Sequence, residues 1–163
     1  MPRTLLSHDT VLEVLRATPD RLRALSAAAT EAELASAPEE GEWPATEVLA
    51  HLRACADVWG AAIERILREE EPTIQAVNPR SWIDRTDYRQ RPFKPSLRSF
   101  TRQRTKLLQV LDPLPTKGWA RAATVLGAGR PLVTTVHAYA DRMARHERAH
   151  WRQVERTLAA VLD

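Results

Sequence analysis

Along most of the chain, apolar residues recur at steps of three and four, the period of one face of a helix. The first such stretch carries Val11, Leu12, Val14 and Leu15 around residues 7–17. In ATPDRLRAL (17–25), Thr18 reads as a cap and Pro19 as a first-turn residue, with Leu22 and Leu25 resuming the apolar face. These segments predict one bent helix, continued by Thr30 to Ala35 and stopped by Pro38 and Gly41. A second helix is predicted from Pro44 to Arg68, with Val48, Leu52, Cys55, Trp59, Ala62 and Ile66 on one stripe and His51 beside Leu52. A third runs from Ser96 to Leu111, on Leu97, Phe100, Leu107, Leu108 and Leu111. The last runs from about Pro131 to Leu162, with Leu132, Val136, Tyr139, Met143, His146, His150, Gln153 and Thr157 on one line.

Between the second and third helices, residues 69–95 contain three consecutive glutamates and then Pro72, Pro79, Pro92 and Pro95. Such a stretch predicts a long crossover with a short helix near Ser81 to Tyr88. WARAATVLGAGRPL (119–132) alternates weakly around Gly127 and Gly129, which predicts an extended or hairpin-like piece. The expected fold is therefore all-α: a four-helix bundle with one long crossover connection, as a single domain over 1–163. There is no internal repeat and no low-complexity tract.

Histidines on the core stripes change the picture from fold to chemistry. On a helix, His146 and His150 lie about 40° apart around the axis and can share one cation. Together with Glu147 they spell His-Glu-x-x-His, the signature of zinc peptidases, yet such a site needs a third protein ligand, normally from well downstream. Only thirteen residues follow His150, so the third ligand must come from upstream. His137, nine residues before His146, falls on the opposite side of the same helix. His8 lies beside Asp9 near the start and reads as a solvated or capping residue. His51, on the buried stripe of another helix, is the candidate, although a lone core histidine is more often a hydrogen-bonded residue than a ligand. Three buried rings without a shared partner would cost several kcal/mol, on the scale of about 1–3 kcal/mol for each unsatisfied group. Cys55, one turn beyond His51, is either a spare soft ligand or a small core residue.

Composition narrows the class further. The 163 residues are 44% hydrophobic and 28% charged with five tryptophans, which is globular composition. No window is long and apolar enough for a membrane span, and the single cysteine fits a reducing compartment, so a cytoplasmic protein is expected. Net charge is +3, and the excess collects between residues 80 and 104, at Arg80, Arg85, Arg89, Arg91, Lys94, Arg98, Arg102 and Arg104. That stretch could attract phosphates, but no nucleic-acid-binding motif accompanies it, and a solvated face is the simpler reading.

WPATEVLAHL (43–52), with ATPDRL before it and LGAGRPLVTTVHAYADRMARHERAHWRQVER (126–156) far downstream, resembles the DinB/YfiT-like family of small four-helix proteins with a divalent metal. The specific parts are Trp43, Glu47, His51 and Leu52 in the second helix, and His146, Glu147, His150 and Gln153 in the last. The resemblance implies a metal held by His51, His146 and His150, and it makes the peptidase spelling incidental, leaving Glu147 as a solvent or inter-helix group, or else one that orients an imidazole. Pro44 departs from the family's hydroxyl residue, so Glu47 loses half of a capping box. Some relatives are thiol-dependent transferases or isomerases. The resemblance thus implies a metal-dependent thiol S-transferase or isomerase acting with a low-molecular-weight thiol on an electrophilic small molecule, with Arg53 or Arg142 receiving an anionic thiol. The alternatives are a non-catalytic metal-binding stress or accessory protein and a metal-dependent hydrolase; a homodimer assembled through its helices is expected. Zinc is the default ion, while nickel, iron and manganese also suit such donors.

Overall fold

The computed structural model describes residues 2–163. Four long helices form a bundle: α1 (His8–Ser26), α3 (Ala45–Arg68), α5 (Phe93–Leu111) and α7 (Val136–Val161). Short helices α2 (Glu31–Leu34), α4 (Pro79–Ile83) and α6 (Thr116–Trp119) punctuate the connections, with a 3-10 turn at Tyr88–Gln90. Both α1 and α3 pack against α7 and α5, so α1 and α3 face each other across a diagonal. Consecutive helices are therefore not all neighbours. The crossover at 69–92 joins the adjacent pair α3 and α5, and the non-hairpin order arises instead in the first and last connections.

One apolar core joins these helices through Val11, Leu15, Leu22, Leu49, Leu52, Ile63, Phe93, Phe100, Met143 and Val154, among others. A second, smaller cluster seats Ile83 of α4 on Ala50 and Ala54 of α3. The bundle also carries a three-stranded sheet that the helical reading did not contain in full. The expected hairpin is β2 (Ala122–Leu126) paired antiparallel with β3 (Leu132–Thr135), and β1 (Thr73–Gln75) adds to β2 in parallel. Gly127 turns the hairpin at φ +89, where a Cβ would also strike the Gln75 side chain.

Four boundaries differ from the expected ones: α7 begins at Val136 rather than near Pro131, because Leu132–Thr135 pair with β2 as strand β3, and three others differ for local reasons. α1 is continuous through Pro19, and Ser7 caps it at the start. Thr18 is no cap: it is buried, and its hydroxyl donates to Val14 O at 2.9 Å. Thr30 instead opens the separate helix α2, in a capping box with Glu33. α5 begins at Phe93 rather than Ser96, since Pro95 is tolerated within the first turn. The free N–H groups of Phe93 and Lys94 donate to the Glu31 carboxylate at 2.8 and 3.1 Å.

Candidate metal centre

Pro19 explains a residue that sequence alone misread. Lacking an N–H, it leaves the Leu15 carbonyl, four residues back, without its helical donor. Arg104 of α5 supplies one, its Nη1 donating to Leu15 O at 2.9 Å. Arg104 is buried and its charge is met by Glu147 of α7, through Nη1 to Oε2 at 2.9 Å and a closer Nη2 to Oε1 contact. Thr18 donates to the same carboxylate at 3.1 Å. The glutamate of His-Glu-x-x-His is thus fully committed to holding α1, α5 and α7 together. It is the inter-helix alternative, bonded to Arg104 and Thr18.

The histidines behave differently. α3 presents His51 and α7 presents His146 and His150, all half-buried, with the Nε2 atoms turned toward one another. Nε2 of His146 lies 2.9 Å from that of His51 and 3.0 Å from that of His150. An imidazole nitrogen offers either one hydrogen or one lone pair in its ring plane, so His146 Nε2 can satisfy only one of these contacts. Two nitrogens about 2.0–2.1 Å from a shared ion lie ~2.9 Å apart at a right angle and ~3.3 Å apart at the tetrahedral angle. A common divalent cation therefore fits these residues, and hydrogen bonding among them does not.

Surrounding groups orient the rings. His150 Nδ1 lies 2.7 Å from Gln153 Oε1, and the amide oxygen can only accept, so the hydrogen sits on Nδ1 and the Nε2 lone pair faces inward. Trp43 packs edge-on to His51 with ring centres 5.4 Å apart, and Trp59 packs likewise on His146 at 5.1 Å. His146 Nδ1 is buried with no partner. All three rings are held neutral. Burial first, then the neighbouring His150 ring and the Arg80 guanidinium, bring His51 down to about 4. Burial and the other two imidazoles bring His146 to about 3, and burial lowers His150 as well.

Cys55 is the residue whose role sequence left open. Its Sγ lies 3.7 Å from His51 Nε2 and 3.9 Å from His146 Nε2. His51, Cys55 and His146 form a group whose donor atoms all lie within 4.8 Å of one another; His150 stands outside that group and meets it through His146, at 3.0 Å. Burial, with Glu147 adding, pushes the free Cys55 thiol up to about 12.

The rings floor a cavity of about 750 Å³ whose wall includes Trp43, Arg80, Gln153 and Arg156, with Glu39 and Glu42 on one side. Neither arginine expected at the mouth lines it. Arg53 donates to Ser96 Oγ at 3.0 Å and lies over the Tyr88 ring at 3.8 Å. Arg142 lines a separate, more apolar cavity of about 820 Å³ together with Trp59, Arg65 and Tyr139. Arg80 was visible in sequence only as one of many basic residues, and nothing marked it as lying opposite the histidines. Glu47 accepts from Arg89 Nε at 2.8 Å, which ties the crossover to the start of α3 and leaves Glu47 out of the centre. His137 points to Leu6 O at 2.7 Å and packs edge-on to His8, apart from the three rings as its spacing requires. His8 is no cap, Ser7 being that; it stays partly exposed and stacks on Trp119 at 4.4 Å. Three of the eight cations of the basic stretch are neutralised internally, Arg89 on Glu47 and Asp84, Arg91 on Asp87, and buried Arg104 on Glu147.

Comparison with known proteins bears on the family and the fold. The sequence profile of the DinB superfamily matches residues 14–154. No curated protein matches the chain. Among solved structures, one from Bacillus subtilis, YfiT, described as "a probable metal-dependent hydrolase with an unusual four-helix bundle topology", superposes with a TM-score of 0.70 at 22% identity, covering 98% of this chain and 93% of that one. TT2238, described as a four-helix bundle protein, superposes with a TM-score of 0.63 at 20% identity, covering 92% of this chain and 99% of the other. At these identities the likeness establishes the four-helix fold.

Proposed function

The chain belongs to the DinB superfamily, and from that premise we propose that it is a metal-dependent enzyme for small anionic molecules, its ion held by His51, His146 and His150. The observation that carries this reading is the convergence of three neutral imidazoles at the floor of a cavity rimmed by Arg80 and Arg156. When bound, a divalent ion on neutral ligands keeps its positive charge and favours the anionic form of a thiol or a water at neutral pH. Gln153 fixes the His150 tautomer, Trp43 and Trp59 restrict the His51 and His146 rings, and Arg80 and Arg156 draw an anion toward them.

Transfer of a low-molecular-weight thiol to an electrophile is the reaction these residues suit best. A thiol activated in this way needs no carboxylate base, and the only glutamate within the histidine motif is locked to Arg104. Hydrolysis is the second reading, favoured by Glu39 and Glu42 on the cavity wall, where either could take a proton from water. YfiT is described as a probable hydrolase. The proposal includes zinc as the ion, the cytoplasm as the compartment and a homodimer as the assembly. Among the described residues no helix is long and apolar enough to cross a membrane.

The test is to incubate metal-loaded protein with a panel of small anionic thiols and a chromogenic electrophile. Turnover lost in His51→Ala and His150→Ala supports thiol transfer. Ester cleavage without thiol, lost in the same variants, moves the assignment to hydrolysis. No turnover in either assay leaves a non-catalytic metal-binding protein. Sedimentation at two concentrations tests the dimer.

A further inference from the structure

Two facing helices each offer a pair of donors one turn apart: His146 and His150 on α7, and His51 and Cys55 on α3. Resting on the metal reading above, we propose that the Cys55 thiolate is a fourth protein donor to the same ion, so that the centre is a three-histidine, one-cysteine set.

Three observations carry it. The first is distance. A sulfur about 2.3 Å and a nitrogen about 2.0–2.1 Å from one ion lie ~3.6 Å apart at the tetrahedral angle, and Cys55 Sγ stands 3.7 and 3.9 Å from the Nε2 atoms of His51 and His146. The second is surroundings. Every other buried residue of α3 belongs to one of the two apolar clusters, and Cys55 belongs to neither. A cysteine serving as a small core filler turns its sulfur to hydrocarbon, whereas this one turns it to two ring nitrogens. The third is spacing, since four residues place Cys55 on the same side of α3 as His51, one turn deeper.

The consequence is chemical selectivity. A thiolate among imidazoles favours zinc, cobalt and copper over manganese or magnesium, which prefer oxygen donors. It also means that an incoming thiol meets an ion that already carries one sulfur, so it enters as an added ligand or in place of Cys55.

Cobalt reports sulfur ligation directly. The full chain, purified without an affinity tag and loaded with an equimolar amount of Co(II) in the absence of any added thiol, is expected to show near-ultraviolet sulfur-to-cobalt charge-transfer absorption. That absorption is expected to vanish in Cys55→Ser and Cys55→Ala while the imidazole-bound cobalt remains. Equimolar cobalt without the absorption in the unmodified chain overturns the Cys55 assignment and leaves the three histidines standing. Persistence of the absorption in both variants does the same. Failure of the unmodified chain to take up cobalt, or uptake unchanged in His51→Ala and His146→Ala, overturns the metal reading and Cys55 with it.

Discussion

Glu147 and His146 are adjacent in sequence and opposite in duty, because about 100° of helical rotation separates a core-facing carboxylate from a cavity-facing ring. In Glu147→Gln the Arg104 guanidinium stays buried without a counter-charge, and removing one partner of such a pair costs about 3–5 kcal/mol. Chemical denaturation should show a loss of that size, with metal stoichiometry retained. A variant of full stability that no longer binds metal would contradict the division of labour. The imidazoles make a second prediction, on pH. In the unfolded chain they take up protons below about 6.5, whereas burial holds folded His51 at about 4 and His146 at about 3. Below about pH 6.5 the unfolded state therefore binds more protons, and stability must fall as pH drops from there toward about 4. The urea midpoint of chelator-treated protein should decline between about pH 7 and pH 5, and decline less in His146→Ala. An unchanged midpoint across that range would mean that the rings are not held neutral by the fold.

Helices were legible because their apolar period is long, and the ends that moved did so where a partner distant in sequence settled them. Pro19 looked like a helix start because sequence cannot show that Arg104, on another helix, supplies the donor the Leu15 carbonyl lacks. β1 was hidden among prolines, since three residues acquire strand structure only by pairing with β2 some fifty positions later. The crossover is held by two carboxylates of α3, Glu47 through Arg89 and Asp57. Asp57 of α3 accepts from Trp82 Nε1 at 3.0 Å, Tyr88 OH at 2.5 Å and Gln103 Nε2 at 2.7 Å. Burial and the Asp57 hydrogen bond push the Tyr88 hydroxyl up to about 12, so it stays a donor throughout the ordinary range. Asp57→Ala strands three donors at about 1–3 kcal/mol for each buried one, and it should free the stretch from Pro79 to Gln90. Limited proteolysis is expected to nick that stretch several-fold faster than in the unmodified chain, with the four helices intact by circular dichroism. Cleavage confined to the hairpin at residues 127–131 would place the weak point elsewhere.

At the scale of the molecule, the candidate centre lies where α3 and α7 face each other, so an ion there cross-links two helices far apart in the chain. His51 and the pair His146 and His150 stand about ninety-five residues apart. Two of these histidines were legible as a four-residue spacing and the third as a histidine on a buried stripe. What closed over them was not legible, because Arg80 and Trp43 arrive from connections whose course depends on the finished bundle. An unfolded chain cannot gather donors so far apart, so a ligating ion binds the folded state almost exclusively and raises its stability by RT ln(1 + [L]/Kd), about 2.7 kcal/mol at a hundredfold excess over Kd. For a domain of this size about 2–4 °C of melting temperature accompanies each kcal/mol. A gain of roughly 5–10 °C on zinc addition follows, climbing with the logarithm of free zinc. His51→Ala breaks the link between the helices while leaving the pair on α7, which can still hold an ion but no longer ties it to α3. Its melting temperature should then stay nearly flat against zinc, even where some metal remains bound. A zinc-dependent rise in His51→Ala as large as in the unmodified chain would mean that the ion sits on α7 alone and bridges nothing.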